Sequence, residues 1–219
     1  MATIFAIKRH KKFALSVVVS LFVCALFALS SIRYRVDESV FLGTEYHFLW
    51  LDDDNVNASQ LGGAQKYITF NNKSYCVFAC YYSIADANAV QSKLRILNID
   101  CDVLSISVNN VKFDGLRAKA SKNLCLEMLE TLHVISKIAY DCANSMASGL
   151  VDSNGARKVV LDVAVACRGL LKLDVGNRFF GGIGKILEEC DLVLSGEIKQ
   201  ADLRGLQILI CEKIINFAC

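Results

Sequence analysis

The alternation of apolar and polar positions over residues 74–108 predicts a strand, a helix and a second strand. Residues 74–80, SYCVFAC, are apolar at almost every position and rich in β-branched and aromatic side chains, as is typical of a strand covered on both faces. Ser83 stands where a helix N-cap belongs, and Asp86 follows three residues later, so both side chains can bond free amides of the first turn. Residues 103–108 return to a period of two. The helix between the strands has one apolar face, which comprises Ile84, Ala87, Val90, Leu94 and Leu97.

Shorter alternating segments flank this unit and extend the predicted sheet. Residues 40–50 alternate well enough for a strand, and residues 66–70 predict another. The Asn-Asn pair at 71–72 would turn the latter strand back into the next one as a hairpin. A second Asn-Asn turn, at 109–110, predicts that residues 111–113 fold against the strand that precedes them.

Beyond the sheet the apolar positions follow a helical period, and four helices are predicted. The first ends at Gly149, and residues 152–154 supply a turn and cap for the second, residues 159–173. The second segment is so apolar that it must be buried, and its length favours a helix over a strand. The last two helices are predicted at 184–194 and 200–217. The apolar stripe of the first helix comprises Leu124, Met128, Leu132, Ile135, Ala139 and Cys142.

The amino terminus carries an uncharged apolar run of about 20 residues, 13–32, which is the length that an α-helix needs to cross a membrane. Basic residues are concentrated before the run, and acidic residues soon offset those that follow it. The positive-inside rule therefore predicts a cytoplasmic tail, residues 1–12, a single-pass signal-anchor helix in the cell membrane, and an extracytoplasmic carboxy-terminal region. A cleaved signal peptide is the alternative, since Ala28 and Ser30 suit a cleavage site, but the length of the run favours the anchor.

The charge of the chain argues against one class of partner. The formal net charge is +2, and no basic cluster with interleaved aromatic residues follows residue 35. The sequence therefore has no electrostatic footprint for nucleic acid, and we expect none as a partner.

The ten cysteines would ordinarily suggest disulfides in an exported protein, but their spacing does not. Most lie singly inside apolar segments, as small hydrophobic residues do. Cys76 and Cys80, the closest pair, are predicted on one face of a strand about 13 Å apart, too far to bridge. Paired C-x-x-C motifs and nearby histidines are absent, so a zinc site is not expected. A reducing or anaerobic habitat would reconcile export with free thiols.

The segment YCVFACYYSIADANAVQSKLRILNIDCDVLSI resembles the first half of a SPOR domain, the small peptidoglycan-binding module of bacterial division and sporulation proteins. The family strand has the form Tyr-x-Val-Gln-x-Gly-x-Phe. Tyr75 and Val77 fit this pattern, and Tyr82 replaces the aromatic residue. Phe78 stands where the family has Gln and Cys80 where it has Gly, which bears on recognition of bare glycan strands more than on the fold. In the helix, the positions that fit are Ala87 and Leu94.

The chain looks nearer to divergent SPOR-like segments in membrane-anchored proteins of Firmicutes than to the family pattern. In those proteins a GGA-x-x-Tyr-Ile run precedes the strand, as Gly62, Gly63, Ala64, Tyr67 and Ile68 do here. A complete SPOR domain would supply a second strand-rich half, whereas this chain offers helices. Either the resemblance stops at the first half, or the second half has diverged beyond recognition. Any other small α/β sandwich is the alternative interpretation of the same strand, helix and strand.

Aromatic residues around the SPOR-like strand are the candidate contacts for a glycan or a partner protein. Aromatic faces pack on the apolar faces of sugar rings, while hydroxyl groups bond outward. The candidates are Tyr75, Phe78, Tyr81 and Tyr82. For Tyr75 and Phe78 the pattern favours core packing over ligand contact.

Signatures of catalysis are scarce along the chain. His133 shares a helical side with Glu130 and Lys137, but neither a nucleophile nor a second histidine accompanies it, so a solvated face is the favoured interpretation. His47 is isolated, so a zinc amidase would lack its ligands. The glycines at 181–184 lack the spacing of a phosphate loop and are interpreted as a helix connection. Asp52 and the two acidic residues after it are assigned to a solvated linker rather than a calcium site, and no cofactor or metal is expected.

These patterns together predict an α+β protein with an amino-terminal transmembrane helix at 13–32, a SPOR-like α/β region at 36–114 and a helical region at 115–219. The leading hypothesis is a non-enzymatic, membrane-anchored cell-envelope protein that binds peptidoglycan or a partner in division or sporulation. Two alternatives remain: a structural protein that assembles through its helical region, and a degenerate cell-wall hydrolase.

Overall fold

The computed structural model describes residues 38–40, 43–52, 56–108, 111–113, 118–172 and 177–218. These residues form an α+β structure in which a sheet region is followed by a helical region, as the sequence predicts. The predicted tail and membrane span lie outside the described residues. Among the residues described, no helix is long and apolar enough to cross a membrane.

The described chain contains six strands, one short 3₁₀ helix at Ala58–Leu61 and five α-helices. Four strands form an antiparallel sheet with the order β3-β4-β2-β5, and β1 and β6 form a two-stranded ribbon. The strands are β1 Glu38–Val40, β2 Thr44–Leu51, β3 Lys66–Phe70, β4 Lys73–Tyr81, β5 Cys101–Val108 and β6 Val111–Phe113. The helices are α1 Ile84–Ile96, α2 Ala118–Ala147, α3 Ser153–Leu170, α4 Asn177–Leu194 and α5 Gln200–Ala218.

The predicted strand, helix and strand unit is formed by β4, α1 and β5. Both strands pair antiparallel with β2, which lies between them, so β4 and β5 run parallel to each other. The predicted hairpin between β3 and β4 is confirmed: Asn71 and Asn72 have φ of 51° and 60°, the left-handed conformations that a tight hairpin turn requires.

The prediction that residues 111–113 pair with the preceding strand is wrong, because β6 pairs with β1. The physical reason is visible in the register. Thr44 at the start of β2 lies opposite Val108 at the end of β5, so the chain before β2 and the chain after β5 leave the sheet at the same end. Val40 then lies opposite Val111, and the ribbon continues the β2–β5 ladder with a shift of one residue.

A β-bulge in β4 changes which side chains share a face. Leu49 of β2 lies opposite Ala79 and Trp50 lies opposite Val77, so Phe78 is the additional residue. Before the bulge Val77 faces the helical layer, and after it Cys80 does. Tyr75 and Val77 face the helical layer, so Cys76 between them faces the other way. The prediction that Cys76 and Cys80 share one face is therefore wrong.

Helix α1 covers the other face of the sheet with a narrower apolar face than predicted. Ala87 and Leu94 are buried, whereas Ile84 and Leu97 are 45% and 58% exposed. Ser83 is the N-cap residue by conformation, but its side chain makes no capping hydrogen bond to the described first turn, contrary to expectation. Asp152 does cap α3 as predicted, since its carboxylate accepts from the Gly155 amide at 2.7 Å.

The helical layer covers the sheet face opposite α1, and four helices form it as predicted. Helix α4 begins at Asn177, so the glycines at 181–184 lie inside a helix and their assignment to a helix connection is wrong. Helix α5 lies against β3 and β4, and the Lys66 side chain passes over Gly205, where an added Cβ would lie 3.0 Å from Lys66 Cε. Lys66 Nζ donates to both carboxylate oxygens of Glu189 at 2.8 Å, which ties β3 to α4.

Replacement of the fully buried Val77 by Asp should unfold or severely destabilise the chain. An unpaired carboxylate in the core between the sheet and the helices costs at least about 3 kcal/mol. Ser74→Asp on the same strand is the matched control, because Ser74 is exposed and the change should cost less than about 0.5 kcal/mol. Urea unfolding followed by circular dichroism measures both, and equal losses would show that Val77 does not stabilise the fold through burial.

Candidate functional site

Tyr75, the first of the predicted contact residues, belongs to a small aromatic cluster at the end of the sheet where the turn between β3 and β4 lies. Its ring meets the ring of Trp50 edge to face, with centroids 5.4 Å apart. The Lys73 ammonium lies 5.0 Å from the centroid of each ring. We call Trp50, Lys73 and Tyr75 the Trp50 cluster. Both rings are partly exposed and Lys73 is exposed, so the Trp50 cluster can contact a ligand without unfolding.

Phe78 and Tyr81 are buried and cannot contact a ligand on the surface. Both lie in the core that α1 covers. The GGA run explains how Phe78 fits there. Gly62 adopts a φ of 78° as it ends the 3₁₀ helix, and a Cβ on Gly63 would lie 2.2 Å from the Phe78 ring. The glycines of the GGA run therefore allow the chain to pass over Phe78.

Tyr82 lies on the opposite face of the sheet, in a polar network between β2, β4 and the helices. Its hydroxyl shares a hydrogen bond of 2.6 Å with Ser136, and its ring is edge-to-face with those of Tyr46, His133 and Tyr140 at 5.4–5.9 Å. Burial raises the pKa of the Tyr82 phenol well above its usual value. The structure thus places Tyr82 with Tyr46 and His133, and Phe78 and Tyr81 on the other side.

His133 belongs to this network, so its assignment to a solvated face is wrong. Its Nδ1 atom shares a hydrogen bond of 3.0 Å with the Tyr46 hydroxyl, and the ring is half-buried. Glu130 and Lys137 on the same side of α2 are exposed, as predicted, and the Lys137 ammonium lies 5.8 Å from the centroid of the Tyr82 ring. The sequence could not reveal this arrangement, because Tyr46 and His133 are 87 residues apart.

Arg204 and Gln207 are buried polar residues on α5 that sequence reasoning missed. Gln207 Nε2 donates to the main-chain oxygen of Cys80 at 2.9 Å. The Arg204 guanidinium stacks over the rings of Tyr140 at 4.8 Å and Tyr81 at 5.7 Å, and it donates to the Asn144 side-chain oxygen. The available signal was the presence of both polar residues inside the otherwise apolar stretch 203–211 of this helix, since buried polar groups need partners.

The network also borders a cavity of about 330 Å³. Strand β2 contributes Thr44 and Tyr46, and α2 contributes Glu130 and His133. The other described residues that line it are apolar, and we call them the apolar wall: Leu126, Leu129, Val134 and Ile214.

The described network does not have the features of a hydrolytic centre. Ser136 donates to the main-chain oxygen of His133 and not to its ring, so the described histidine does not activate this hydroxyl. Burial raises the pKa of the Tyr46 phenol, which is the opposite of what an activated nucleophile needs. In the part of the chain that the structure describes, no group of three or more His, Cys, Asp or Glu residues could hold a metal ion. His47, the other described histidine, shares a hydrogen bond of 2.8 Å with the Ser105 hydroxyl through its Nδ1 atom.

Comparisons with known proteins do not indicate a function for this chain. No protein-family model, no curated protein and no solved structure matches the chain.

The pKa of His133 should give the fold a pH dependence with a defined sign. Burial, and secondarily Lys137, lowers this pKa from 6.5, so the unfolded form binds a proton more readily than the folded form. The contribution of His133 to the free energy of unfolding is therefore complete above that value. It is lost as the pH falls through 6.5 towards the lower pKa of the folded form.

His133→Gln should flatten this dependence between about pH 7 and pH 5. Lys137→Gln should weaken it, because removal of the ammonium lowers the cost of a charged imidazole. Urea unfolding at each pH measures the effect in the full chain. A pH profile in His133→Gln identical to that of the parent chain would contradict the assignment.

Proposed function

We propose that this chain is a non-catalytic, membrane-anchored cell-envelope protein that binds peptidoglycan through the Trp50 cluster of its SPOR-like sheet. In this proposal residues 13–32 anchor the chain, and the region from residue 36 onward lies outside the cytoplasm. No family model matches the chain. The support for the proposal is therefore the SPOR-like motif in the sequence and the partly exposed Trp50 cluster.

The observation that carries the proposal is the pair of partly exposed rings of Trp50 and Tyr75, held perpendicular to each other beside one ammonium group. Rings of this kind suit the apolar faces of sugars, because they supply a large rigid contact area at a small cost in conformational entropy. The Lys73 ammonium would attract the carboxylates that peptidoglycan carries on its stem peptides. One small surface thus combines a stacking platform with a positive charge.

Burial excludes most of the predicted contact residues from direct contact with a glycan. Both faces of the sheet are covered, one by α1 and the other by the helices, so a glycan strand cannot lie flat across it. Phe78 and Tyr81 therefore act in the core, and Tyr82 acts in the network with Ser136. The exposed end of the sheet around Tyr75 remains available, and we place glycan recognition there.

Binding of the purified full chain to sacculi tests this proposal. Trp50→Ala and Tyr75→Ala should each weaken binding at least about fivefold, equivalent to about 1 kcal/mol. Tyr67→Ala is the matched control, because Tyr67 is 57% exposed and lies opposite Cys76 on the neighbouring strand, on the other face of the sheet from Tyr75. Co-sedimentation before and after amidase treatment compares complete peptidoglycan with bare glycan strands, and stem-peptide recognition predicts stronger binding to the untreated sacculi. No binding to either preparation, or equal losses in all three variants, would contradict the proposal.

A second candidate function is self-assembly through the helical region, which an exposed apolar patch on α3 and α4 favours. Val165 and Leu192 are 63% and 66% exposed. An ion pair joins their two helices beside them, because Arg168, three residues after Val165, lies 3.9 Å from Asp191, the residue before Leu192. Leu161 lies one turn before Val165 on the same side of α3, and it is exposed as well. Exposed apolar residues grouped in this way are typical of protein contact surfaces.

Val165→Lys should lower the molecular mass of any assembly that sedimentation equilibrium detects. Leu150→Lys is the matched control, because Leu150 is 81% exposed but lies at the turn between α2 and α3. A parent chain that remains monomeric across the accessible concentrations, or equal effects of the two variants, would exclude assembly through this patch.

A further inference from the structure

The cavity beside His133 is separate from the Trp50 cluster and serves no purpose in the proposed glycan contact. It opens where the start of β2 meets α2 and α5, whereas Trp50 lies near the opposite end of β2. Its volume of about 330 Å³ lies within the range of ligand pockets, which is about 300–1,000 Å³. Since a water molecule occupies about 30 Å³ in the liquid, the cavity has room for a ligand of about ten non-hydrogen atoms.

The polar groups of the cavity come from two elements. Glu130 and His133 are three residues apart on α2 and so lie on the same helical face, and Thr44 and Tyr46 are neighbours on one face of β2. Tyr46 fixes the imidazole of His133 through the bond to Nδ1. When Nδ1 carries the proton and donates it to Tyr46, the Nε2 lone pair remains for a ligand that donates hydrogen bonds.

The charge of the lining favours a positively charged ligand. Among the described residues that line the cavity, Glu130 is the one that is formally charged at neutral pH with histidine neutral. The closest described cation on the same helix side, Lys137, places its ammonium over the Tyr82 ring instead. With Nδ1 of His133 protonated, a cation in the cavity would therefore meet a carboxylate and a lone pair, whereas an anion would meet the repulsion of Glu130.

We propose that this cavity binds a small amphipathic amine. Its ammonium group lies between Glu130 and His133 Nε2, and its hydrocarbon body lies against the apolar wall. The chemical class follows from the three properties of the lining: a carboxylate, a positioned hydrogen-bond acceptor, and an aliphatic surface too small for more than one ring or a short chain.

Cyclohexylmethylamine and cyclohexylmethanol form a matched pair of probes, because they differ only in the group that would face Glu130. Isothermal titration calorimetry of the full chain at pH 7.4 should detect the amine and find the alcohol at least about fivefold weaker. Glu130→Gln should weaken the amine about fivefold and change the alcohol less than about twofold, since it keeps the shape and removes the charge. Equal affinity for both probes in the parent chain would overturn the assignment of an amine.

Two tryptophan substitutions locate the site. Val134 lines the cavity and is 53% exposed, so Val134→Trp can fill the cavity entrance while its backbone position stays tolerant of a large side chain. Ile138→Trp is the control one turn later on α2, where the side chain is 42% exposed and does not line the cavity. Loss of amine binding in Val134→Trp alone supports the proposal. Retained binding in Val134→Trp, similar loss in both variants, or no binding to the parent chain would overturn it, and sacculus binding by the Trp50 cluster is unaffected by any of these results.

Discussion

The burial of helix α5 on all sides is the constraint around which the other elements are arranged. From Leu203 to Ile208 six successive residues are buried, so this helix has no face that water can reach over that stretch. A helix of this kind is stable only when other elements cover it completely. The sheet covers one side through β3 and β4, and α2 and α4 cover the rest. The helical region and the four-stranded sheet therefore share one continuous core and cannot be regarded as independent units in the described structure.

Two polar residues set the position of α5 along the sheet. Gln207 bonds the main-chain oxygen of Cys80, a group that lies after the bulge at Phe78. Arg204, one turn earlier, stacks on Tyr81 and Tyr140. Because a buried donor without an acceptor costs about 1–3 kcal/mol, sliding α5 by a turn would be penalised even though its apolar residues could repack. Polar residues in this helix therefore provide specificity where hydrophobic packing alone would tolerate alternatives.

Local features of the fold could be predicted from the sequence, and features that depend on distant pairing could not. The hairpin at Asn71 and Asn72, the strand that contains Val77 and the cap at Asp152 follow from turn chemistry and short periodicities within one segment. The bulge could not be predicted, because an additional residue in β4 has meaning only relative to its partner strand. The same reason applies to the pairing of β1 with β6. It also applies to the candidate sites, since no local pattern links Tyr46 with His133 or Trp50 with Lys73.

The aromatic residues illustrate this limit most clearly. Tyr75, Phe78, Tyr81 and Tyr82 formed one candidate surface in the sequence, where they lie within eight consecutive positions. The bulge and the two covering layers distribute them among an exposed cluster, an inner core and a buried network. Hydrophobicity predicted that this strand would be covered, but it could not indicate which ring would remain at the end of the sheet.

The eight cysteines that the structure describes are all buried, and this has a consequence for the order of events in biosynthesis. Burial raises the pKa of Cys167 to about 12 and that of Cys190 to about 11, so these thiols stay protonated and shielded once the core has formed. An unfolded chain offers the same sulfurs to any oxidant. If the chain is exported as proposed, compaction must therefore be faster than thiol oxidation, and the core acts as a chemical protecting group. The yield of the native state would then depend on the rate of folding relative to the rate of disulfide cross-linking, and the latter depends on the redox potential around the exported chain.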